Sequence, residues 1–271
     1  MIARFRKPSF SLTRFLASVF RFSNLSFNSA FRLVDLVYFP VVGIFFWGFF
    51  SLSWKATAGM GGFIAVILAY QVVYGFASQL QQSFSLLTLE DIWHDSLKQS
   101  VLFSPLSFPE YVASKFTVAL MRALVTLALT SAVVVLLFNY TVLSSRIIDF
   151  SIILLAVMVA AFAMGLFVDS TIFLFGRDLG FLAWAILELF MMLSCPFFSV
   201  TVFPAFMQPV ARAAPFFWAF QAMKDVAVGG PLSASVVFWA FMVPLLYLVA
   251  AVPVYVLTIR TVKRNGRLTW S

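Results

Sequence analysis

The chain has 271 residues, of which 63% are hydrophobic and only 10% are charged. Soluble domains carry about 25% charged residues, so these charges are too few to cover an aqueous surface and much of the chain is expected to contact lipid. The net charge of +8 does not indicate nucleic-acid binding, because the basic residues lie mainly beside apolar runs and at both chain ends, where they act as topology signals.

The first predicted element is a short amphipathic helix near the amino terminus. Apolar residues recur at helical spacing over residues 11–20, with Arg14, Ser18 and Arg21 between them. This pattern predicts a helix in the plane of the membrane interface, with a disordered basic tail as the alternative. Residues 1–32 are therefore assigned to a cytoplasmic tail and this interfacial helix.

Six apolar segments of membrane length follow. They cover residues 33–54, 60–80, 116–138, 150–175, 179–202 and 234–259, and residues 111–115 already continue the pattern of the third. Backbone polar groups find no water in hydrocarbon, so spans this long without strand-like alternation must be helices. We expect an all-α integral membrane protein with a six-helix transmembrane domain over residues 33–259 and a basic cytoplasmic tail over residues 260–271.

Six crossings place both termini on one side of the membrane, and the basic residues indicate which side. With a cytoplasmic amino terminus, that side holds Arg4, Arg6, Lys7, Arg14, Arg21, Arg32, Lys98, Lys115, Arg177, Arg260, Lys263, Arg264 and Arg267. The opposite side holds only Lys55, Arg146, Arg212 and Lys224. The positive-inside bias therefore predicts a multi-pass protein of the inner (plasma) membrane with both termini in the cytoplasm.

The connection between the second and third spans carries an acidic amphipathic motif. Thr88 can cap a helix whose first turn holds two carboxylates, which face the positive end of the helix dipole. This predicted helix contains Leu89, Glu90, Asp91, Ile92, Trp93, His94 and Leu97, and the sequence Ser-Pro-Leu-Ser at residues 104–107 follows it. Its shape suits docking on a cytoplasmic partner, and an interfacial loop helix without a partner is the alternative.

The connection before the last span is rich in proline and aromatic residues. Pro196, Pro204, Pro209 and Pro215 interrupt it, and two glycines at residues 229–230 precede the last span. Proline lacks a backbone donor and breaks a continuous helix. We expect a broken, half-buried external segment.

These motifs together resemble the type-2 permeases of ATP-binding-cassette (ABC) transporters, a family that includes drug, glycolipid and polysaccharide exporters. The resemblance rests on Ser194-Cys195-Pro196 at the end of the fifth span, the Pro-aromatic steps and glycine pair after it, and the acidic helix followed by residues 104–107 and Glu110. It covers most of the chain. Cys195 and the Phe-Phe-Trp sequence at residues 216–218 depart from the family, in which many members carry Gly and Thr-Tyr there.

The resemblance implies a dimeric export pathway of twelve helices, with an external re-entrant segment before each last helix. In such permeases the cytoplasmic coupling helix and the amino-terminal helix bind two copies of a nucleotide-binding subunit. No Gly-x-x-x-x-Gly-Lys-Ser/Thr phosphate loop occurs in this sequence, so ATP and Mg²⁺ are expected in that partner. The chain is then a transport subunit and not an enzyme, a homodimer in contact with lipid, and its cargo is a drug, a lipid or a glycan-lipid.

Three ionisable residues fall inside the predicted spans at similar depth, namely Arg122, Asp169 and Glu188. Each costs about 2.5–3.5 kcal/mol to insert unless it has a partner or a wet surface. We predict that Arg122 pairs with Asp169 or Glu188 and holds the bundle in register. Snorkelling or protonation, and a direct role in transport, are the alternatives.

Small and polar residues share one face of the second span, where Gln71, Gly75 and Ser78 follow at helical spacing. They favour close helix packing or a wet pathway wall. Aromatic residues crowd the first span and are interpreted as lipid-facing anchors, some of which could contact an amphipathic substrate.

Two other functions stay open at this point. A proton-coupled secondary transporter would use Asp169 or Glu188 as its proton carrier and would work without an ATPase. An intramembrane enzyme is disfavoured, because His94 is the only histidine and has no partner with which to complete a catalytic site. With Cys195 as the only cysteine, no metal site of cysteines and histidines is expected either.

Overall fold

The computed structural model of the chain describes residues 10–28, 30–58, 61–93 and 105–264. These residues form ten α-helices and contain no β-strand, which confirms the predicted all-α class. The helices are α1 (Leu12–Phe27), α2 (Ala30–Ala58), α3 (Gly61–Trp93), α4 (Phe108–Phe138), α5 (Val142–Ser145), α6 (Ile147–Phe175), α7 (Leu182–Leu193), α8 (Gln208–Ala213), α9 (Phe217–Ala227) and α10 (Ala234–Arg264).

Five of the described helices, α2, α3, α4, α6 and α10, are long and apolar enough to cross a membrane. The chain is therefore a multi-pass membrane protein by the length and composition of its helices. The fifth predicted span differs, because α7 contains only 12 residues. At 1.5 Å per residue it covers about 18 Å, which is less than the ~30 Å of a hydrocarbon core. Five long helices and one short helix thus occupy the six predicted spans.

Helix α1 is amphipathic, as the sequence predicts. Its residues Ser18, Phe22 and Ser26 are buried against the bundle, whereas Leu12 and Leu16 are exposed. A helix that is attached through its more polar side and exposes an apolar stripe suits the boundary between water and lipid.

Helix α3 continues well beyond residue 80, where the second span was predicted to end. Thr88 therefore does not begin a separate helix, and its predicted role as a cap is wrong. The helix stays inside the bundle because its polar residues find partners there. Ser83 accepts a hydrogen bond from Arg122, and the Thr88 hydroxyl donates to Asp169 of α6 at 2.7 Å.

Helices α3 and α6 form the centre of the bundle, and α4, α9 and α10 pack around them. Small residues allow the close approach of α6 to its neighbours, since Ala156, Ala160 and Ala163 are fully buried. At Gly165, a Cβ atom would lie only 3.0 Å from the ring of Phe84 on α3. A side chain at this position would therefore require the Phe84 ring to shift by a few tenths of an ångström.

A proline inside α2 frees a backbone carbonyl that then bonds to α4. Pro40 has no backbone N–H, so the carbonyl of Leu36 loses its usual partner within the helix. The Thr126 hydroxyl on α4 donates to this carbonyl at 3.5 Å. In lipid no water would replace the missing partner, so the bond favours this packing of α2 on α4.

The segment between α7 and α10 is broken, as its prolines predict. Pro196 follows Cys195, whose φ is 51°, and Pro204 lies in the turn before α8. Pro209 occupies the first turn of α8, and Pro215 precedes α9. Each proline thus lies where a helix ends or begins.

Lys224 of α9 connects that helix to the residues just after α7. Its ammonium donates to the carbonyl of Cys195 at 3.0 Å and to that of Phe198 at 3.1 Å. Burial lowers the pKa of Lys224, and the neighbouring Cys195 and Asp225 partly oppose this effect. Through these bonds α9 holds the chain that follows α7.

Candidate functional site

Charged residues of α1, α3, α4 and α6 form a group at one end of the bundle, which we call the charged cluster. Its members are Arg14, Arg21, Asp91, Glu110, Lys115 and Asp169. Four of the six are almost fully buried, and Arg14 and Arg21 are partly exposed. Each takes part in an ion pair with another member, so their charges are balanced inside the chain.

Glu110 attaches α1 to the beginning of α4. Its carboxylate accepts hydrogen bonds from the backbone N–H of Ser107 at 2.6 Å and from that of Ser11 at 2.5 Å. The Arg14 guanidinium donates to the same carboxylate at 2.9 Å. Charge-assisted bonds of this kind are roughly twice as strong as neutral ones, so the start of α1 is firmly held.

Asp91 makes the corresponding attachment at the end of α3. It pairs with Arg21 of α1 and accepts a hydrogen bond from the Tyr111 hydroxyl of α4 at 2.9 Å. Between the two attachments, the hydroxyls of Ser18 and Ser114 lie 2.7 Å apart. Helix α1 therefore bridges α3 and α4, the helices that precede and follow residues 94–104.

Lys115 of α4 and Asp169 of α6 form the innermost ion pair of the charged cluster. Both side chains are fully buried, and the Lys115 Nζ lies 2.6 Å from the Asp169 Oδ2. The same oxygen accepts the Thr88 hydroxyl, and the ammonium lies 4.1 Å from the centre of the Phe84 ring. Such additional partners help to offset the cost of removing two charges from water.

Arg122 lies further along α4 and joins it to α1, α2 and α3. Its Nη1 donates to the carbonyl of Ser26 at 2.8 Å, and its Nε donates to the hydroxyl of Ser83 at 3.0 Å. Its Nη2 lies 3.5 Å from the carboxylate of Asp35. The guanidinium thus uses all three of its nitrogens as donors.

The predicted pairing of Arg122 with Asp169 or Glu188 is therefore wrong. Asp169 pairs with Lys115 instead, which lies two helical turns before Arg122 on α4. The sequence places Lys115 among the cytoplasmic charges because the predicted third span begins at residue 116, whereas α4 begins at residue 108. Glu188 accepts a hydrogen bond from the Tyr74 hydroxyl instead.

The residues assigned to a coupling helix are largely covered by the chain itself. Leu89, Asp91 and Ile92 are buried, and Glu90 pairs with Arg32 of α2. These side chains bind the end of α3 to the rest of the protein and do not present a free docking face.

The other three residues of that group lie at or beyond the end of α3. Trp93 is the last residue of the helix, and His94 and Leu97 lie outside the described residues. A docking surface for a partner stays a prediction, which now concerns residues 94–104.

A second group of polar residues lines an open cavity of about 480 Å³ between α2, α3 and α7, which we call the groove. Its polar side chains are Asp35, Gln71, Ser78, Gln79, Gln82 and Glu188. Its aromatic side chains are Phe39, Trp47, Tyr70, Tyr74, Trp184 and Phe197. Polar and aromatic groups therefore share one surface between helices of membrane length.

The aromatic rings of the groove are in contact with one another. The ring centre of Phe197 lies 4.5 Å from that of Tyr70 and 5.9 Å from that of Trp47. Tyr70 also stacks on Tyr74, with 5.4 Å between the ring centres. The chain that follows α7 is thus packed through Phe197 onto α2 and α3.

Two polar groups of the groove have no charged partner among the described residues. Glu188 is exposed on α7 and has the Tyr74 hydroxyl as its hydrogen-bond donor. Gln71 is only 6% exposed, yet its amide forms no hydrogen bond with the described residues. The absence of a side chain at Gly43 makes room for this amide, whose oxygen would lie 3.3 Å from a Cβ there.

The groove could be foreseen only in part. Gln71 and Ser78 are recognised from the sequence as a face suited to packing or to a wet wall, and both line the groove. Glu188 is recognised as an intramembrane carboxylate, but with the wrong partner. Asp35 and Gln82 are missed, although a carboxylate in an apolar run of membrane length is itself a signal of a functional site.

No protein-family model matches this chain, and no curated protein is significantly similar to it. Among the described residues, no group of three His, Cys, Asp or Glu side chains is placed to hold a metal ion.

Proposed function

We propose that the chain is the transmembrane permease subunit of an ABC exporter, which moves an amphipathic or lipid-linked substrate across the plasma membrane. A separate nucleotide-binding subunit, present in two copies, binds and hydrolyses ATP with Mg²⁺. Two copies of the chain form the pathway. In this proposal α7 belongs to a sixth crossing, the segment with the four prolines re-enters the membrane from outside, and both termini are cytoplasmic.

The groove is the observation that carries the proposal. Glu188 and Gln71 face it without a charged partner in the described part of the chain, and lipid can solvate neither group. An open polar surface between helices of membrane length needs water, a substrate or another protein surface against it. Two grooves that face each other in a dimer would meet this need and would enclose a route across the membrane.

The assignment to an ATP-driven exporter rests on the resemblance of residues 88–110 to the first intracellular loop of the type-2 permeases. The charged cluster supports it. Asp91 and Glu110 hold α1 across the two helices next to residues 94–104, so a force applied there reaches both helices. The unbroken α3 then joins Asp91 to Gln71 over 20 residues, or about 30 Å.

Purification of the tagged full-length chain from its native membranes tests this function. We expect a cassette-type ATPase to co-purify with it, and the reconstituted complex to move cargo only with ATP. Leu97→Asp is expected to reduce the recovered ATPase about tenfold, since it places a charge in the proposed contact. Val228→Asp, at an exposed residue after α9, is the matched control and leaves the recovery unchanged. Equal recovery of the ATPase with both variants contradicts the proposal.

A proton-coupled transporter is the second candidate, and the exposure of Glu188 in the groove favours it. Asp169 is a poor proton carrier, because it is fully buried and paired with Lys115. This candidate predicts that the chain alone, in vesicles with a pH gradient, moves cargo and that Glu188→Gln abolishes the movement. The favoured proposal predicts no movement without the ATPase.

A further inference from the structure

One wall of the groove carries polar groups in a row along α3. Gln71, Ser78 and Gln82 follow at intervals of seven and four residues, so they share one face of the helix. At 1.5 Å per residue the row is about 16 Å long. A row of this length can form hydrogen bonds along an extended molecule, whereas a compact molecule would reach only part of it.

Gln71 shows that this row is available to a ligand. Its side chain is more than nine-tenths buried and lines the groove, but its amide forms no hydrogen bond with the described residues. The amide faces the open volume of the groove, where water or a ligand can supply its hydrogen bonds. The partner of Gln71 is therefore expected to enter the groove from outside the described chain.

The charges of the groove exclude anionic ligands. Two carboxylates, Asp35 and Glu188, line it, and the described residues that line it include no Lys or Arg. Asp35 is close to Arg122, whereas among the described residues the Tyr74 hydroxyl is the one hydrogen-bond donor to Glu188. An anion would be repelled by Glu188, while a hydroxyl group of a ligand could donate a hydrogen bond to it.

Aromatic side chains from other parts of the chain also line the groove. Trp47 comes from α2, Trp184 from α7 and Phe197 from the chain after α7. Aromatic rings pack well against the apolar C–H face of a sugar ring, whose hydroxyls project from its edge toward polar neighbours. Aromatic faces beside a row of amides and a carboxylate therefore match both surfaces of a sugar chain.

We propose that the groove binds an extended, neutral, polyhydroxylated chain, namely the glycan portion of a glycan-lipid. This inference rests on the proposed function, in which the groove is the route of the substrate. Gln71, Gln82 and Glu188 bond the hydroxyls of the glycan, and Trp47 and Trp184 pack against its sugar rings.

Equilibrium dialysis of the full-length chain in lipid nanodiscs tests the inference. The probes are linear neutral oligosaccharides of glucose, of N-acetylglucosamine and of rhamnose. We expect saturable binding of at least one series, with an affinity that rises with oligosaccharide length until the row on α3 is covered. Binding of none of the three series overturns the inference.

Paired substitutions locate the binding in the groove. Gln71→Leu is expected to weaken binding roughly tenfold, the contribution of about one hydrogen bond to the ligand. Gln221→Leu on α9 is its control, because this glutamine has a buried amide nitrogen without a partner among the described residues but lies outside the groove. Trp184→Ala weakens binding and Trp239→Ala does not, although both tryptophans are 44% exposed. Equal effects within either pair contradict the assignment.

Charged probes separate this inference from its rivals. Tetraphenylphosphonium is the cationic probe. If it binds tightly, if Gln71→Leu weakens that binding, and if no oligosaccharide binds, the groove is a cation site and the inference is contradicted. Inorganic polyphosphate is expected not to bind. If the chain co-purifies with an ATPase but binds no oligosaccharide, only this inference is contradicted. If it binds oligosaccharide but never associates with an ATPase, only the proposed function is contradicted.

Discussion

The charged cluster and the groove both hold polar side chains inside an apolar bundle, but the two regions satisfy them differently. In the charged cluster, the buried Lys115, Asp169 and Glu110 each have an oppositely charged partner in the same chain. In the groove, Gln71 and Glu188 face an open volume. Polar groups that pair with other groups of the same chain hold helices together. Polar groups that are open to a partner outside the chain indicate a functional site.

The largest effect on stability is expected at Lys115, in the charged cluster. Lys115→Met leaves Asp169 buried without its counter-charge and is expected to lower the free energy of unfolding by about 3–5 kcal/mol. Thermal unfolding of the purified protein in detergent measures this. The double variant Lys115→Met with Asp169→Leu recovers most of the loss, because an apolar pair has no charge to desolvate. A stable single variant would show that the ion pair is not what holds α4 to α6.

Glu110→Gln is expected to have the next largest effect. It removes the charge that holds Arg14 and the N–H of Ser11, and bonds to a charged group contribute about 1.5–3 kcal/mol. Helix α1 would then open more often, so hydrogen exchange of its backbone amides is expected to accelerate roughly tenfold or more. Unchanged exchange in α1 would show that α1 is held by other contacts.

A smaller effect is expected at Arg122. Arg122→Lys keeps the charge near Asp35, but an ammonium cannot reproduce the planar arrangement of donors to Ser26 and Ser83. We expect a loss of about 1 kcal/mol in the free energy of unfolding, measured by chemical denaturation. Arg212→Lys, at an exposed residue of α8, is the control and changes it by less than about 0.5 kcal/mol.

Glu188→Gln, in the groove, is expected to have the smallest effect on stability of these substitutions. A glutamine oxygen still accepts the Tyr74 hydroxyl, so the free energy of unfolding changes by less than about 0.5 kcal/mol. Transport by the reconstituted complex is expected to fall severalfold, because the carboxylate no longer faces the route. A loss of stability as large as that of Glu110→Gln would place Glu188 with the structural charges.

Much of the helical framework is predictable because helix formation in lipid depends on local sequence. Long apolar runs predict α2, α4, α6 and α10, and the predicted ends at residues 138 and 175 coincide with those of α4 and α6. The amphipathic spacing predicts α1, and the prolines predict the break after α7. The short α7 and the long α3 are mispredicted, because hydropathy does not show where a helix continues through polar residues that have partners.

The sequence by itself determined that the chain is helical and suited to lipid, since the lack of water for backbone groups leaves few other choices. Only the tertiary structure decided that Asp169 meets Lys115, that Arg122 meets Asp35, and that the Gln71 amide faces an open groove with no hydrogen bond to the described residues. These outcomes depend on how each helix is rotated and displaced against its neighbours. Residue periodicity marks the faces of a helix, but it does not specify which face of which other helix lies opposite.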